Sequence, residues 1–196
     1  DIAITASYQA SYAGFATRGL SIEDTDRLLQ RSVALARSAR DKYIARHPSS
    51  TRALHVAASV GPFGATLHDG SEYRGDYFLD EDALADFHRS RIASLLAAAP
   101  DLLACETLPS LLEALALLRV LHEHPAARAW MTFTCCDGSH TSAGDDIAEC
   151  ARFLDAEPQV VAMGINCVDP ALVTSLVRTI AAATKKPIIV YPNSGE

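Results

Sequence analysis

No apolar run in this sequence approaches the roughly 20 residues that a membrane-crossing helix requires, and the start, DIAITASYQAS, has no basic stretch followed by an apolar signal-type core. Basic clusters are missing as well. Nothing longer than the pair Lys185-Lys186 occurs and the formal net charge is -7, so there is no electrostatic footprint for nucleic acid or an anionic membrane. Neither a G-x-G-x-x-G stretch nor a Walker loop follows an apolar run, and the glycines of GPFG (61–64) have the wrong spacing, which removes the main support for nucleotide binding. The five cysteines are an odd number in a mid-sized chain, which suits free thiols or metal ligands better than a disulfide framework. These absences leave small-molecule chemistry in a cytoplasmic protein as the expectation. The first residue is Asp1 rather than Met, so a true start upstream is expected too.

What is present is ample apolar material for one core: 49% of the 196 residues are hydrophobic, and 1–196 reads as a single domain. Six short apolar runs recur at 1–7, 54–62, 101–107, 128–136, 159–167 and 187–193. They show little polar alternation, as parallel strands buried on both faces do. Between them lie apolar positions at helical spacing: Leu29, Val33, Ala36 and Tyr43, then Leu84, Phe87 and Leu95 with Arg91 breaking the pattern, then Leu112, Leu115, Leu118 and Leu121. Ser21 with Asp24, Asp80, and Pro109 with Ser110 and Glu113 supply start signals, and two further helices fit 145–156 and 170–184.

Strand-helix repetition of this kind makes a parallel sheet, either doubly wound or a (β/α)8 barrel. Polar and reactive residues gather just past the ends of several different runs: Gln9, Gly61-Pro62, Glu106-Thr107, Cys135-Cys136, Asn166-Cys167 and Asn193-Ser194. A barrel builds its site from many such ends, whereas a doubly wound sheet concentrates it at one switch point, so the expectation is a TIM-type barrel.

Among these ends, Cys167 closes the stretch VVAMGINC. It is either a small buried hydrophobe or a thiolate ligand for zinc, and the second role requires at least two further N or S ligands nearby. Cys135-Cys136 would serve only if the strand has already ended, because adjacent strand residues face opposite ways. Glu106 closes an otherwise apolar run, where a carboxylate is costly unless it is paired or faces a site. It would either bind the ammonium of an amino-acid-like substrate or partner the N-terminus of the helix opening near Pro109. The long loop 67–82, with Tyr73, Arg74, Asp76 and Tyr77, reads as a solvated turn or as a lid over the site. His140 has no ligand-spaced partner and reads as surface.

Taken together, ITASYQAS, SVGPFGATLHDGSEYRGDY, LLACETLP, GINC and YPNSGE, in that order and spanning essentially the whole chain, resemble the homocysteine S-methyltransferase family. The similarity is greatest to the branch that makes methionine from homocysteine with S-methylmethionine or S-adenosylmethionine as methyl donor. The resemblance implies a (β/α)8 barrel and a zinc ion held by three cysteines. Cys167 would be one ligand, and the other two, a vicinal pair in a GGCC motif on the last strand, are expected beyond residue 196. The six runs then resemble the second to seventh of eight strands, with the first strand and its DGG-like acidic residue also missing, so a complete protein of about 300 residues is expected.

By the same resemblance Glu106 would bind the homocysteine amino group. Backbone groups near Ser59 to Gly61, together with Thr134, would shape the amino-acid end of the pocket. Gln9, Asn166 and Asn193 would orient the substrate or the zinc ligand. Rival readings are methylation of another thiol or selenol, use of betaine as donor, or a non-catalytic amino-acid-binding barrel fragment.

Overall fold

Six parallel strands lie side by side in chain order: β1 (Ile2–Ile4), β2 (His55–Val60), β3 (Leu102–Leu108), β4 (Ala129–Phe133), β5 (Val160–Asn166) and β6 (Ile188–Tyr191). Helices α1 (Tyr12–Ala16) and α2 (Ile22–Arg46) join the first pair, and α3 (Glu81–Ala97), α4 (Leu111–His122), α5 (Ile147–Asp155) and α6 (Val173–Ala183) join the rest. This computed structural model describes residues 1–194; Gly195 and Glu196, the end of the YPNSGE motif, lie outside the described residues. A doubly wound sheet reverses its strand order at a switch point. Here the order never reverses, so the six strands are an arc of a TIM-type barrel wall.

Local chemistry sets most boundaries. Ser21 and Asp24 form a reciprocal capping box at the start of α2, while the side chains of Asp80, Ser110 and Asp146 each accept a hydrogen bond from a backbone N–H in the first turn of α3, α4 and α5. The segment expected as one helix over 170–184 opens with a 3-10 turn, Pro170–Leu172, before α6. Two strands depart from the expected burial on both faces. All three residues of β1 are exposed and Val190 of β6 is exposed, because each strand has a hydrogen-bonded neighbour on one side only among the described residues.

Strand alternation divides the side chains into two sets. Val56, Ala58, Val60, Leu103, Cys105, Met131, Phe133, Met163 and Ile165 face the helices and form the main core with Leu29, Leu84, Ile92, Leu117, Leu121 and Leu154. The other set faces the barrel interior. Its lower layer is a small separate cluster of Ala57, Ala104, Trp130 and Ala162. Above that layer, toward the C-terminal ends of the strands, the interior positions become polar: Ser59, Glu106, Thr132, Asn166 and Tyr191.

Gly164 allows the polar layer to close on itself. A Cβ added there would lie 1.9 Å from the carbonyl oxygen of Ile189 on β6, a backbone atom that cannot swing aside. Gly164→Ala is therefore expected to separate β5 from β6 and to destabilise the fold by about 3 kcal/mol, read from the guanidinium denaturation midpoint. An unchanged midpoint would show that the two strands tolerate a wider spacing.

Candidate active site at the barrel mouth

The carboxylate of Glu106 stands in the interior, 8% exposed, with a donor on each oxygen. The Ser59 hydroxyl donates to Oε1 at 2.5 Å and the Tyr191 hydroxyl to Oε2 at 2.7 Å, while Tyr191 also meets the Thr132 hydroxyl at 3.1 Å. Burial, and then the Glu106 charge, holds the Tyr191 phenol well above its usual range, so it stays protonated and remains a donor. Glu106 does not serve the N-terminus of α4, which Ser110 caps and where Asp145 accepts from the Leu111 N–H at 2.7 Å. Its alternative role as a helix-end partner is thereby removed. Each Glu106 oxygen keeps acceptor capacity, and the pair is fixed in orientation.

A few ångströms along the rim, β3 and β5 are clamped together. The Thr107 N–H donates to Asn166 Oδ1 at 2.7 Å, and Asn166 Nδ2 donates to the Thr107 hydroxyl at 2.7 Å. The same Nδ2 also donates to the Cys167 sulfur at 3.3 Å. Thr134 donates its hydroxyl to the Cys167 carbonyl at 3.3 Å, and the Cys167 N–H donates to the Tyr191 carbonyl at 3.1 Å. Both clamped residues have left-handed backbone, φ 62° at Thr107 and 50° at Cys167, and the register of β3 against β4 slips between Cys105 and Leu108. A β-branched residue at positive φ is a genuine outlier costing roughly 1–3 kcal/mol, and it persists here because side-chain bonds over-determine it. The result is a partly exposed thiol, held in place by an amide N–H donor.

Around this mouth the segment 61–78 is held down by a buried carboxylate that sequence reasoning assigned only to a helix start. Glu113 is fully buried and accepts from the Phe63 N–H at 2.6 Å, from His88 Nε2 at 2.9 Å and from the Tyr77 hydroxyl. Burial holds His88 below the ordinary imidazole range, against the pull of Glu113, so the ring is neutral at neutral pH. Its Nε2 then carries the proton toward Glu113, leaving Nδ1 to accept from Arg91 at 3.4 Å. Arg91, the residue that broke the helical pattern of α3, is itself buried, and burial pulls its guanidinium down to about 10. It donates to the carbonyls of Gly61 at 3.1 Å and Tyr8 at 3.0 Å, and its guanidinium lies 4.9 Å from the centre of the Phe87 ring.

The remaining expected residues fall into two groups. The backbone of Ser59 and Gly61 is internally satisfied: Ser59 N–H donates to Thr5, its carbonyl accepts from Ser7, and Gly61 N–H donates to the Tyr8 carbonyl at 3.2 Å. Gly61 contributes space, since a Cβ there would lie 2.6 Å from the Tyr8 ring. Gln9 and Asn193 are exposed, and neither side chain makes a hydrogen bond among the described residues. Tyr191 and Thr132 went unnoticed in the sequence because each lies inside or at the end of an apolar run. The signal available was their place at every second position of the strand, on the face of Glu106 or Asn166.

Among the described residues no three His, Cys, Asp or Glu side chains group closely enough to hold a metal ion. Cys135 is buried on the helix side near Cys150, and burial pushes both thiols up to about 12; Cys136 is exposed, with its sulfur 3.1 Å from the Thr141 carbonyl. These cysteines do not converge with Cys167. His140 is half-exposed and pairs with Asp137 at 2.9 Å, as suits a surface residue. Cys167, with its soft sulfur at the mouth and an N–H directed at it, fits one corner of a thiolate metal site.

Known proteins share this fold and much of this sequence. The family model for homocysteine S-methyltransferase matches residues 1–196. A homocysteine S-methyltransferase of Bacillus subtilis, YbgG, is 48% identical over 198 residues, covering 100% of this chain and 63% of the relative. The homocysteine S-methyltransferase of Escherichia coli is 50% identical over 194 residues, covering 99% of this chain and 62% of the relative. The crystal structure of the metallated form of the Escherichia coli homocysteine methyltransferase MmuM superposes with a TM-score of 0.95 at 49% identity, covering 99% of this chain and 67% of that one. The chain thus spans a little under two thirds of the length of the curated relatives it matches. With a matching family model over its whole length and relatives near half identity, this chain belongs to the homocysteine S-methyltransferase family.

Proposed function

We propose that the chain is the homocysteine-binding part of a cytoplasmic, zinc-dependent enzyme that moves a methyl group from S-methylmethionine or S-adenosylmethionine to homocysteine, giving methionine. The observation that carries this reading is the presence, at one barrel mouth, of a fixed interior carboxylate and a clamped, partly exposed thiol. Relatives named for this activity and a solved relative described as metallated support it. In this reading the six strands are the second to seventh of the barrel, and the two cysteines that join Cys167 lie beyond residue 196.

Glu106 would receive the homocysteine ammonium, with Ser59 and Tyr191 keeping its carboxylate turned toward the substrate. Asn166 holds the Cys167 sulfur through Nδ2 while fixing the strand ends with its remaining bonds to Thr107. Gln9 and Asn193 stand at the rim, and Thr134 ties the Cys167 carbonyl. A zinc ion held at Cys167 would supply the Lewis acidity that lets a thiol lose its proton at neutral pH. The homocysteine sulfur then attacks the donor methyl in line: a new S–C bond forms, the sulfonium C–S bond breaks, and its electron pair stays on the donor sulfur as a neutral thioether.

Methionine formation from homocysteine and S-methylmethionine by the full-length gene product, followed by mass spectrometry, tests the reading. Formation that a chelator abolishes supports it, and no formation with any sulfonium donor overturns it. Glu106→Ala is expected to raise the homocysteine KM about 10- to 100-fold while the donor KM moves by less than about twofold. Equal rises in both would make Glu106 structural.

A further inference from the structure

We infer that Glu72 is the residue that selects a cationic methyl donor, its carboxylate facing the positive sulfur of the sulfonium across the mouth from Cys167. The inference rests on the methyl-transfer reading given above. Glu72 lies in the 3-10 turn Ser71–Tyr73 and is 7% exposed, with a fully buried Oε2 that finds no partner among the described residues. A buried carboxylate without a donor or counter-ion is costly unless a ligand supplies the missing charge. The nearby cation, Arg74, is committed elsewhere, to Asp76 at 2.8 Å and to Ser71 at 3.0 Å.

The turn is held close to the site. A Cβ on Gly64 would lie 2.6 Å from the Glu72 nitrogen, so the glycine lets the turn seat against the segment that follows β2. The phenol of Tyr8, whose ring lies over Gly61, is buried near Thr107 and likewise makes no hydrogen bond of ordinary geometry. Burial chiefly holds the phenols of both Tyr8 and Tyr73 above their usual value, and Glu72 and Cys167 each lie close enough to both to add to it, so one carboxylate, two phenols and the thiol share one neighbourhood. A sulfonium sulfur offers fixed positive charge and no N–H or O–H donor. A carboxylate flanked by aromatic rings recognises such a cation through charge and ring quadrupole together.

The charge balance of the reaction fixes the kinetic signature. Thiolate and sulfonium cancel as the methyl moves, leaving two neutral thioethers. An anion beside the sulfonium therefore stabilises the bound donor more than the transition state, and its effect appears in KM rather than in kcat. Glu72→Gln in the zinc-supplied, full-length enzyme is expected to raise the KM for S-methylmethionine about 10- to 100-fold, with kcat unchanged or slightly higher and homocysteine KM within about twofold.

Calorimetric binding should lose S-methylmethionine selectively over methionine, its uncharged thioether counterpart. Equal weakening of charged and uncharged ligands, or an unchanged donor KM, overturns the proposal while leaving the methyl-transfer reading intact. A wild-type enzyme that makes no methionine from any donor overturns both. Parallel assays with S-adenosylmethionine and betaine identify which cation the carboxylate serves. If Glu72→Gln does not fold, Glu72→Asp carries the test: drawing the charge back by one methylene must weaken S-methylmethionine more than methionine, and equal weakening refutes the assignment.

Discussion

On the zinc-dependent reading proposed above, Cys167→Ser in the full-length gene product is expected to lose bound zinc and turnover together, with activity falling by about 10³-fold or more, the scale of several kcal/mol that a metal contributes to such chemistry. The substitution removes one sulfur and leaves the fold's other contacts in place, because the Cys167 N–H and carbonyl make the backbone bonds to Tyr191 and Thr134. Its thermal midpoint should therefore stay near that of the metal-free wild type. Metal analysis of the purified variant checks the first half and the methionine assay the second. Retained turnover with a normal zinc content would remove Cys167 from the ligand set.

Glu113→Ala is expected to be the most damaging substitution for stability. It strips the acceptor from the Phe63 N–H, the His88 Nε2–H and the Tyr77 hydroxyl at once, and leaves the buried Arg91 without the carboxylate charge that most offsets its burial. Losing one partner of a buried charged network costs about 3–5 kcal/mol, which for a chain of this size lowers Tm by about 10 °C. Glu113→Gln keeps an acceptor and should recover part of the loss. Proteolysis within 61–78 should accelerate in step, since Phe63 and Tyr77 anchor that segment. A loss below about 1 kcal/mol in denaturant titration would mean that water replaces the carboxylate.

The barrel order was legible because each apolar run is short and each helix carries its own start signal, as Ser21, Asp80 and Ser110 illustrate. What stayed hidden depended on contacts distant in sequence. Glu113 has the spacing of a helix-start residue, and nothing local reveals that Phe63, Tyr77 and His88 converge on it. Arg91 read as a blemish on an apolar face, yet its position is set by the carbonyls of Tyr8 and Gly61. The five-residue helix α1 is too short to show a period. Cys167 and Glu106 stood out by their placement at run ends, whereas Tyr191 and Thr132 were masked by their apolar neighbours. The rule that parallel strands are covered on both faces also fails where a strand has a hydrogen-bonded neighbour on one side only among the described residues, as exposed Ile2 and Ile4 demonstrate.

The left-handed backbone at Thr107 and Cys167 sets two demands on this protein against each other. A glycine at either position would relax the main chain, but at 107 it would take away the hydroxyl that helps hold Asn166, and at 167 it would remove the sulfur itself. Selection for robustness alone would erode the very corner that the proposed chemistry relies on. The threonine and cysteine at these positions record a compromise in which the molecule keeps a little internal tension for the sake of aim.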